Sequence, residues 1–117
     1  MEIGANTSVD RGSLDNTELK NGVRLDNLIQ IGHNVLIGEH TAIAASAAIA
    51  GSTIIGKRCL IAGQVGIVGH IKICDDVRIN GGSVVTKDIS EPGIYSGSFA
   101  ADKDKVWKRL VAKFRRL

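Results

Sequence analysis

The sequence repeats with a period of six over most of its length. An aliphatic residue occupies the first position of each hexad, and a small or β-branched residue occupies most of the fifth positions. The first positions are Leu19, Leu25, Ile31, Ile37, Ile43, Ile49, Ile55, Ile61, Ile67, Ile73, Ile79 and Val85. Neither a helix, with about 3.6 residues per turn, nor a plain strand, with a period of about two, gives a strict period of six. The pattern is typical of a parallel β-helix built from hexapeptides.

The predicted β-helix is a triangular coil in which each hexad supplies one short strand and one corner. Three hexads complete a coil, so equivalent residues of successive coils stack about 4.8 Å apart, the ordinary spacing of strands. First and fifth positions point inward, and the residues between them point outward. Two ladders are expected: Ile31, Ile49, Ile67 and Val85 in one, and Ile37, Ile55 and Ile73 in another.

Aromatic residues are scarce, and their positions agree with a narrow core. They make up 3% of the chain, and all of them follow the repeats, as Tyr95, Phe99, Trp107 and Phe114. A prism only a few side chains wide holds Ile, Val, Ala and Thr but has no room for rings. The β-helix is therefore predicted to span residues 1–89.

The repeat ends at Ser90-Glu91-Pro92-Gly93, and residues 90–101 are predicted to form a connecting loop. Residues 102–117 have the pattern of an amphipathic helix, with Val106, Leu110, Phe114 and Leu117 on one stripe. The formal charge of the whole chain is +3, whereas this helix has seven basic and two acidic residues, so its own net charge is +5. The basic face predicts an acidic partner, with a solvated helix face as the alternative. The apolar stripe predicts docking on a neighbouring subunit.

The N-terminal end is expected to begin inside a coil, since Ile3-Gly4-Ala5-Asn6-Thr7-Ser8 already reads as a hexad. The spacing from Val9 to Leu19 breaks the register once, at a turn-rich stretch that predicts a short loop. An uncapped end would expose core residues, so we expect another segment to cover it or the chain to be a piece of a longer protein. There is no signal peptide, and the longest apolar run, Thr41–Gly51, is too short to span a bilayer, so a cytoplasmic location is expected.

All three histidines, His33, His40 and His70, fall on outward positions. Gly51 is one full coil above His33, where a glycine leaves a backbone N–H unshielded beside the imidazole. Asp26, in the preceding hexad, is a candidate to orient the ring across a corner. A base, a bare N–H donor and a second histidine on one face are the groups that acyl transfer needs.

Two other chemistries are less well supported by the residues. Zinc-binding prisms of the carbonic anhydrase type use a His-x4-His pair, whereas His33 and His40 fall on different hexad positions, so no metal site is predicted. Cys59 and Cys74 do not make a disulfide framework, and Cys59 occupies an inward position as a small apolar filler.

Several motifs resemble the UDP-3-O-acylglucosamine N-acyltransferases of lipid A biosynthesis, which are hexapeptide-repeat acyltransferases. They are the run Asp26-Asn27-x-Ile29-x-Ile31-Gly32-His33-Asn34-Val35-x-Ile37-Gly38, then Gly69-His70, Ile73-Cys74-Asp75, Glu91-Pro92-Gly93 and Lys105-Val106-Trp107. The resemblance covers the chain from Ile3 to about Val111 and corresponds to the C-terminal part of such an enzyme. Asn34 distinguishes it from the related O-acyltransferase, which has Asp after the histidine.

The resemblance implies an all-β fold, a left-handed parallel β-helix with a short C-terminal α-helix, assembled as a cytoplasmic homotrimer. It implies transfer of a 3-hydroxyacyl chain from acyl carrier protein to the 2-amino group of a UDP-3-O-acylglucosamine. No cofactor of the enzyme itself is expected, because 4′-phosphopantetheine arrives on the donor. No nucleic acid and no stable membrane insertion are expected either.

By the same resemblance, His33 is the general base, Gly51 provides the N–H that faces the oxyanion, and Asp26 is the acidic residue near the base. His70 and Asn34 are assigned to substrate binding, and His70 either binds the diphosphate or assists the oxyanion. The family has an additional domain ahead of the prism that helps to bind uridine. The chain shows no such domain, so weak affinity for the UDP substrate is expected.

Two alternatives remain open at the level of the sequence. One is a sugar N-acetyltransferase that uses acetyl-CoA on the same scaffold. The other is a truncated, non-catalytic trimeric scaffold in which the histidines have no chemical role.

Overall fold

The computed structural model describes residues 1–10, 17–98 and 101–117, which form a parallel β-helix followed by one α-helix. In the described ranges the strands are β1 (Glu2–Ile3), β2 (Ser8–Val9), β3 (Glu18–Leu19), β4 (Arg24–Leu25), β5 (Gln30–Ile31), β6 (Leu36–Ile37), β7 (Ala42–Ile43), β8 (Ala48–Ile49), β9 (Ile54–Ile55), β10 (Leu60–Ile61), β11 (Gly66–Ile67), β12 (Lys72–Ile73), β13 (Val77–Ile79), β14 (Val84–Val85) and β15 (Gly93–Tyr95). The helix is α1 (Asp104–Arg115). Each short strand joins the sixth position of one hexad to the first position of the next.

The strands form three parallel sheets, one for each side of the triangle. The first sheet has the order β1-β4-β7-β10-β13-β15, the second β14-β11-β8-β5-β2 and the third β12-β9-β6-β3. Ile31 pairs with Ile49, Ile49 with Ile67, and Ile67 with Val85 in the second sheet. Ile37 pairs with Ile55, and Ile55 with Ile73, in the third sheet. Both predicted ladders are confirmed.

The core consists of the first and fifth positions of the hexads. The first positions from Leu25 to Val85 are buried, and so are the fifth positions, which include the three hydroxyl residues Thr41, Thr53 and Ser83. The two threonine hydroxyls donate to backbone carbonyls of the next coil, Thr41 to Gly56 at 2.7 Å and Thr53 to Val68 at 3.0 Å, and Ser83 donates to the Asn80 carbonyl at 2.6 Å. A buried polar group with a hydrogen-bond partner costs little, so the narrow prism tolerates threonine.

The corners share one backbone geometry. The fourth position of the hexads has a positive φ even where the residue is not glycine, as at Asn34 (57°), His40 (61°), Ser52 (62°) and His70 (61°). A positive φ at the second central residue is the mark of a type II turn. In such a turn the carbonyl of the second hexad position points across the turn, and the N–H of the third position points outward.

The last coil is two residues shorter than the others. Ile73 forms a parallel bridge with Ile89, sixteen residues on rather than eighteen, and β15 then pairs with β13. Ile89 therefore occupies a first position rather than the fifth position that the repeat predicts. The boundary of the β-helix also moves: the predicted connecting loop 90–101 contains strand β15, because the shortened coil brings Gly93–Tyr95 back into register with Val77–Ile79.

The first coil carries an insertion. Val9 pairs with Ile31 and Ile3 with Leu25, in each case 22 residues apart rather than eighteen. The short loop predicted between Val9 and Leu19 lies mostly at 11–16, outside the described residues. The inward side chains of Ile3 and Val9 are 50% and 38% exposed, since no coil stacks on them in this structure.

Helix α1 begins and ends two residues inside the predicted range 102–117. Its apolar stripe is mostly exposed, at 51% for Leu110 and 71% for Phe114. Asp104 lies in the first turn and Lys113 and Arg115 in the last, the arrangement that the helix dipole favours. Within the described part of the chain, no helix is both long and apolar enough to cross a membrane.

Candidate functional site

Four of the residues singled out by the sequence, His33, Asn34, Gly51 and His70, meet at one corner of the prism. This corner joins the second sheet to the third and consists of residues 32–34, 50–52 and 68–70 in three successive coils. We call it the glycine corner, because it contains Gly32, Gly51 and Gly69, at each of which an added Cβ would crowd a neighbouring coil.

The His33 ring lies directly beneath Gly51. A Cβ added to Gly51 would fall 2.7 Å from Nε2 and 2.8 Å from Cε1 of His33, which is closer than real Cβ contacts allow. The two coils are joined here by the Ser52 N–H, which donates to the His33 carbonyl at 2.8 Å. Gly51 is therefore the residue that makes room for the imidazole, and the predicted pairing of the two is observed.

Asn34 orients the imidazole. Its Oδ1 lies 3.2 Å from His33 Nδ1. An amide oxygen only accepts hydrogen bonds, so in this arrangement Nδ1 carries the proton and Nε2 keeps its lone pair. The basic nitrogen of His33 thus faces Gly51. The sequence predicted substrate binding for Asn34, and it missed this contact with His33.

The Gly51 N–H points outward without a hydrogen-bond partner among the described residues. At two of the other corner positions a side chain one coil above covers the equivalent N–H, whereas at Glu39, Ala45 and Gly63 the described residues leave it uncovered. Asn27 Oδ1 accepts the Ala5 N–H, and Asp75 Oδ1 accepts the Lys57 N–H, both at 2.7 Å. The residue above Gly51 is Gly69, which has no side chain to do this. A bare donor therefore lies next to the Nε2 of His33.

His70 occupies the same corner two coils above Asn34. Its N–H donates to the Gly51 carbonyl at 3.1 Å, and its side chain is exposed. Gly69 packs closely on the same carbonyl, since an added Cβ would be 2.8 Å from the Gly51 oxygen. The structure thus ties the backbone of His70 to Gly51 and leaves the second imidazole free to meet a ligand.

Asp26 does not join the others within one chain. It follows β4 at the corner between the first and second sheets, a full side of the triangle away from His33. Its Oδ1 accepts the Asn27 N–H at 2.8 Å, and no hydrogen bond or ion pair links it to His33 in the described ranges. A contact between the two side chains would need the Asp26 of another copy of the chain.

The surface beside the glycine corner is shallow and lined by small residues. A groove of about 500 Å³ runs along the second sheet past Gly32, Ala50, Gly66 and Val68 to Val84. Small apolar residues leave a smooth floor on which an alkyl chain or another apolar surface can lie. Val84, at the end of this groove, is 62% exposed.

The remaining titratable and ligating residues that the structure describes do not converge on a second site. No group of His, Cys, Asp or Glu among the residues that the structure describes is arranged to hold a metal ion. Burial raises the pKa of the Cys59 thiol, the direction expected for an inert core residue rather than a nucleophile. The hydrogen bond from Arg58 lowers the pKa of the exposed Asp76 carboxyl at a different corner.

No protein-family model matches the chain. Over its full length the chain is 52% identical to the UDP-3-O-acylglucosamine N-acyltransferase of Shewanella denitrificans and 53% identical to the protein of that name from Pseudomonas aeruginosa. These alignments cover 34% and 33% of the relatives, so the chain spans about a third of their length and corresponds to their C-terminal part.

Among solved structures, LpxA from Acinetobacter baumannii aligns with a TM-score of 0.76 and 26% sequence identity, covering 92% of this chain and 47% of that one. The fold is therefore the expected left-handed parallel β-helix of acyltransferases, and the resemblance found in the sequence is confirmed.

Proposed function

The chain is homologous over its full length to the UDP-3-O-acylglucosamine N-acyltransferases, and from that premise we propose that it carries the acyl-transfer site of such an enzyme. The donor is a 3-hydroxyacyl thioester on acyl carrier protein. The acceptor is the 2-amino group of a UDP-3-O-acylglucosamine. The observation that carries the proposal is the position of His33 Nε2 directly under the backbone of Gly51.

His33 acts as the general base in this proposal. The 2-amino group attacks the thioester carbonyl carbon, and Nε2 takes a proton from the attacking nitrogen as the N–C bond forms. The contact between Nδ1 and Asn34 supports this role, because it leaves Nε2 unprotonated and aimed at the reacting atoms. When the C–S bond breaks, the imidazolium returns the proton to the departing thiolate.

Gly51 stabilises the negative charge that develops on the carbonyl oxygen. Its N–H points outward, is uncovered by Gly69 above and needs no rearrangement to donate. Removing one such donor costs about 100-fold to 1,000-fold in rate in other acyl-transfer enzymes. No acyl-enzyme intermediate is required, and His70 contacts the phosphates of the UDP-sugar or the oxyanion.

The assembly is a homotrimer with its sites in the clefts between prisms. In such a trimer the Asp26 of one prism faces the His33 of the next, a contact that a single chain does not make. The exposed apolar stripe of α1 and the smooth groove of the second sheet also need partners. The net charge of +5 on residues 102–117 fits the acidic surface of an acyl carrier protein.

The deciding experiment compares acyl transfer by the wild-type chain and by His33→Ala. Loss of a general base lowers the rate by about 100-fold to 10,000-fold, and we expect a reduction in this range. His40→Ala is the matched control, because His40 is also an exposed corner histidine but lies at a different corner, over Gly22. Equal rates for wild type and His33→Ala would overturn the catalytic role of His33.

A competition assay between an acyl carrier protein thioester and acetyl-CoA tests the donor. We expect the carrier-bound acyl chain to be transferred in preference to acetyl groups, because the groove beside the site has room for an alkyl chain. Preferential transfer of acetyl groups would favour a sugar N-acetyltransferase. Absence of transfer from either donor would favour the non-catalytic scaffold.

A further inference from the structure

Thr53 has a buried hydroxyl directly behind the glycine corner. Its side chain is fully buried, and Oγ1 donates to the Val68 carbonyl at 3.0 Å. This is the only hydrogen bond that the Val68 carbonyl receives from the described residues. The equivalent inward positions in the coils below and above are Val35 and Ile71, so the hydroxyl is specific to this coil.

The hydrogen bond from Thr53 to the Val68 carbonyl restrains the direction of the Gly69 N–H. The peptide between Val68 and Gly69 is trans, so its carbonyl and its N–H point in opposite directions. As at the other corners, the turn points this carbonyl across the corner and the Gly69 N–H outward, and the Thr53 hydrogen bond holds the peptide in that orientation. This N–H has no partner in the described part of the chain. It lies one coil, about 4.8 Å, above the Gly51 N–H and next to His70.

We propose that Thr53 is a positioning residue that aims the Gly69 N–H at a second oxygen of the acyl donor, the 3-hydroxyl. This inference rests on the function proposed above, in which the Gly51 N–H receives the thioester carbonyl oxygen. In a 3-hydroxyacyl group the carbonyl oxygen and the hydroxyl oxygen are separated by three carbons. Such a pair is able to span two donors that lie one coil apart. The Gly51 N–H then donates to the reacting carbonyl oxygen, and the Gly69 N–H donates to the 3-hydroxyl oxygen.

Gly69 itself is a poor place to test this role. An added Cβ would stand 2.8 Å from the Gly51 carbonyl oxygen, so even alanine would shift the backbone of both residues. Thr53→Val is better, because valine keeps the shape and removes only the hydroxyl. Thr53→Ser keeps the hydroxyl and removes only a methyl group.

Thr41 provides the matched control. It occupies the same inward hexad position two hexads before Thr53, is equally buried and donates to the Gly56 carbonyl at 2.7 Å. Its corner contains neither His33 nor Gly51. Thr41 Oγ1 also accepts the buried Cys59 N–H at 3.1 Å, so Thr41→Val removes the same kind of donated hydrogen bond and a second one, and its structural cost is the larger of the two.

The experiment measures kcat/KM for two donors, a 3-hydroxyacyl thioester and the unsubstituted acyl thioester of equal length, both on acyl carrier protein. In Thr53→Val we expect kcat/KM for the hydroxylated donor to fall about tenfold, the effect of losing one hydrogen bond, while the unsubstituted donor is affected less than about twofold. The preference for the hydroxylated donor is thus lost. Thr53→Ser and Thr41→Val should keep the wild-type preference.

Each other result has a definite meaning. If Thr53→Val folds and retains the preference, or loses activity equally with both donors, the positioning role is wrong. If Thr53→Val does not fold, an unchanged preference in Thr53→Ala overturns the inference in the same way. Absence of transfer by the wild-type chain with either donor would overturn the proposed function, and the inference with it.

Discussion

Two corners of the prism share one backbone turn geometry but have different side chains at equivalent positions. The glycine corner has Gly51 and Gly69 stacked above His33. The corner between the third and first sheets, made of residues 20–22, 38–40, 56–58 and 74–76, has charged side chains at the equivalent positions, and we call it the charged corner. Turn geometry and coil spacing are the same in both. They differ in whether a side chain reaches from one coil to the next.

At the charged corner the side chains link successive coils. Asp75 accepts the Lys57 N–H, and Arg58 makes two hydrogen bonds to the Asp76 carboxylate, at 2.8 and 3.0 Å. At the glycine corner no side chain covers the N–H groups of Gly51 and Gly69. The charged corner also leaves the N–H groups of Glu39 and Asp75 without a partner among the described residues, so the glycine corner differs in having an imidazole beside a bare N–H and no side chain above it.

The largest expected effect comes from covering the bare corner. In Gly51→Ala the new Cβ would lie 2.7 Å from His33 Nε2 and displace the ring from the reacting atoms. We expect kcat/KM for acyl transfer to fall about 100-fold or more. The thermal midpoint should change little, because the His33 ring is exposed and free to move aside.

Gly63→Ala is the control for this variant. Gly63 has the same hexad position at the third corner, and an added Cβ would meet only the Ala45 carbonyl, at 3.3 Å. It should keep wild-type activity. If Gly51→Ala and Gly63→Ala have the same activity, the glycine corner has no special role in acyl transfer.

A substitution that breaks the charged corner should lower stability rather than catalysis. In Gly56→Ala the new Cβ would collide with the Asp75 carboxylate and lie 2.7 Å from the Asp75 nitrogen, so the bridge to Lys57 is lost. We expect the free energy of unfolding to drop by about 2 kcal/mol, measured by chemical denaturation. The kcat/KM of the remaining folded protein should stay at the wild-type value.

Gly66→Ala tests whether the loss at Gly56 is caused by that collision. An added Cβ at Gly66 meets nothing within 4 Å, so alanine there should be neutral or stabilise by about 0.5 kcal/mol through the unfolded state. A loss of stability in Gly66→Ala as large as that in Gly56→Ala would contradict the steric explanation.

The smallest effect concerns the ion pair of the charged corner. Arg58 lowers the pKa of Asp76, so the pair stabilises the fold above the ordinary pKa of an aspartate and loses this contribution as the pH falls through the lowered value. Both side chains are about half exposed, so the gain at neutral pH is small. The thermal midpoint of Arg58→Gln should lie slightly below that of wild type at pH 7, and the difference should disappear as the pH falls through the lowered pKa of Asp76. A difference that grows on acidification would contradict this account.

Much of the fold was predictable because the residues that recur every six positions are those whose side chains are buried. Every first position from Leu25 to Ile79 must face a dry core, and only aliphatic residues of similar size fit one above the other. The same counting placed Gly51 one coil above His33. It failed at the last coil, where the loss of two residues moved Ile89 to a first position and returned Gly93–Tyr95 to the first sheet. The repeat gave no warning of this shift, since Ile89 is apolar in either register.

The sequence predicted which site residues stack on one another in successive coils, and it did not predict the contacts between residues within one coil. Asp26 and His33 are seven residues apart, yet they stand at different corners, because an extended side of the triangle separates them. Asn34 is adjacent to His33 in sequence, but its contact with Nδ1 depends on the positive φ of Asn34 and on the rotamers of both side chains. A threonine at an inward position was a signal for the hydrogen bond of Thr53, although the sequence did not show which carbonyl it would meet.

The sequence by itself determined the prism, the two ladders and the coil-to-coil pairing of a histidine with a glycine, since all of these follow from a fixed repeat length and the exclusion of water from the core. Only the tertiary structure decided which nitrogen of His33 is free, which N–H groups stay uncovered and at which corner Asp26 lies relative to His33. These features depend on side-chain direction and on distances across coils, and neither is encoded in the spacing of residues along the chain.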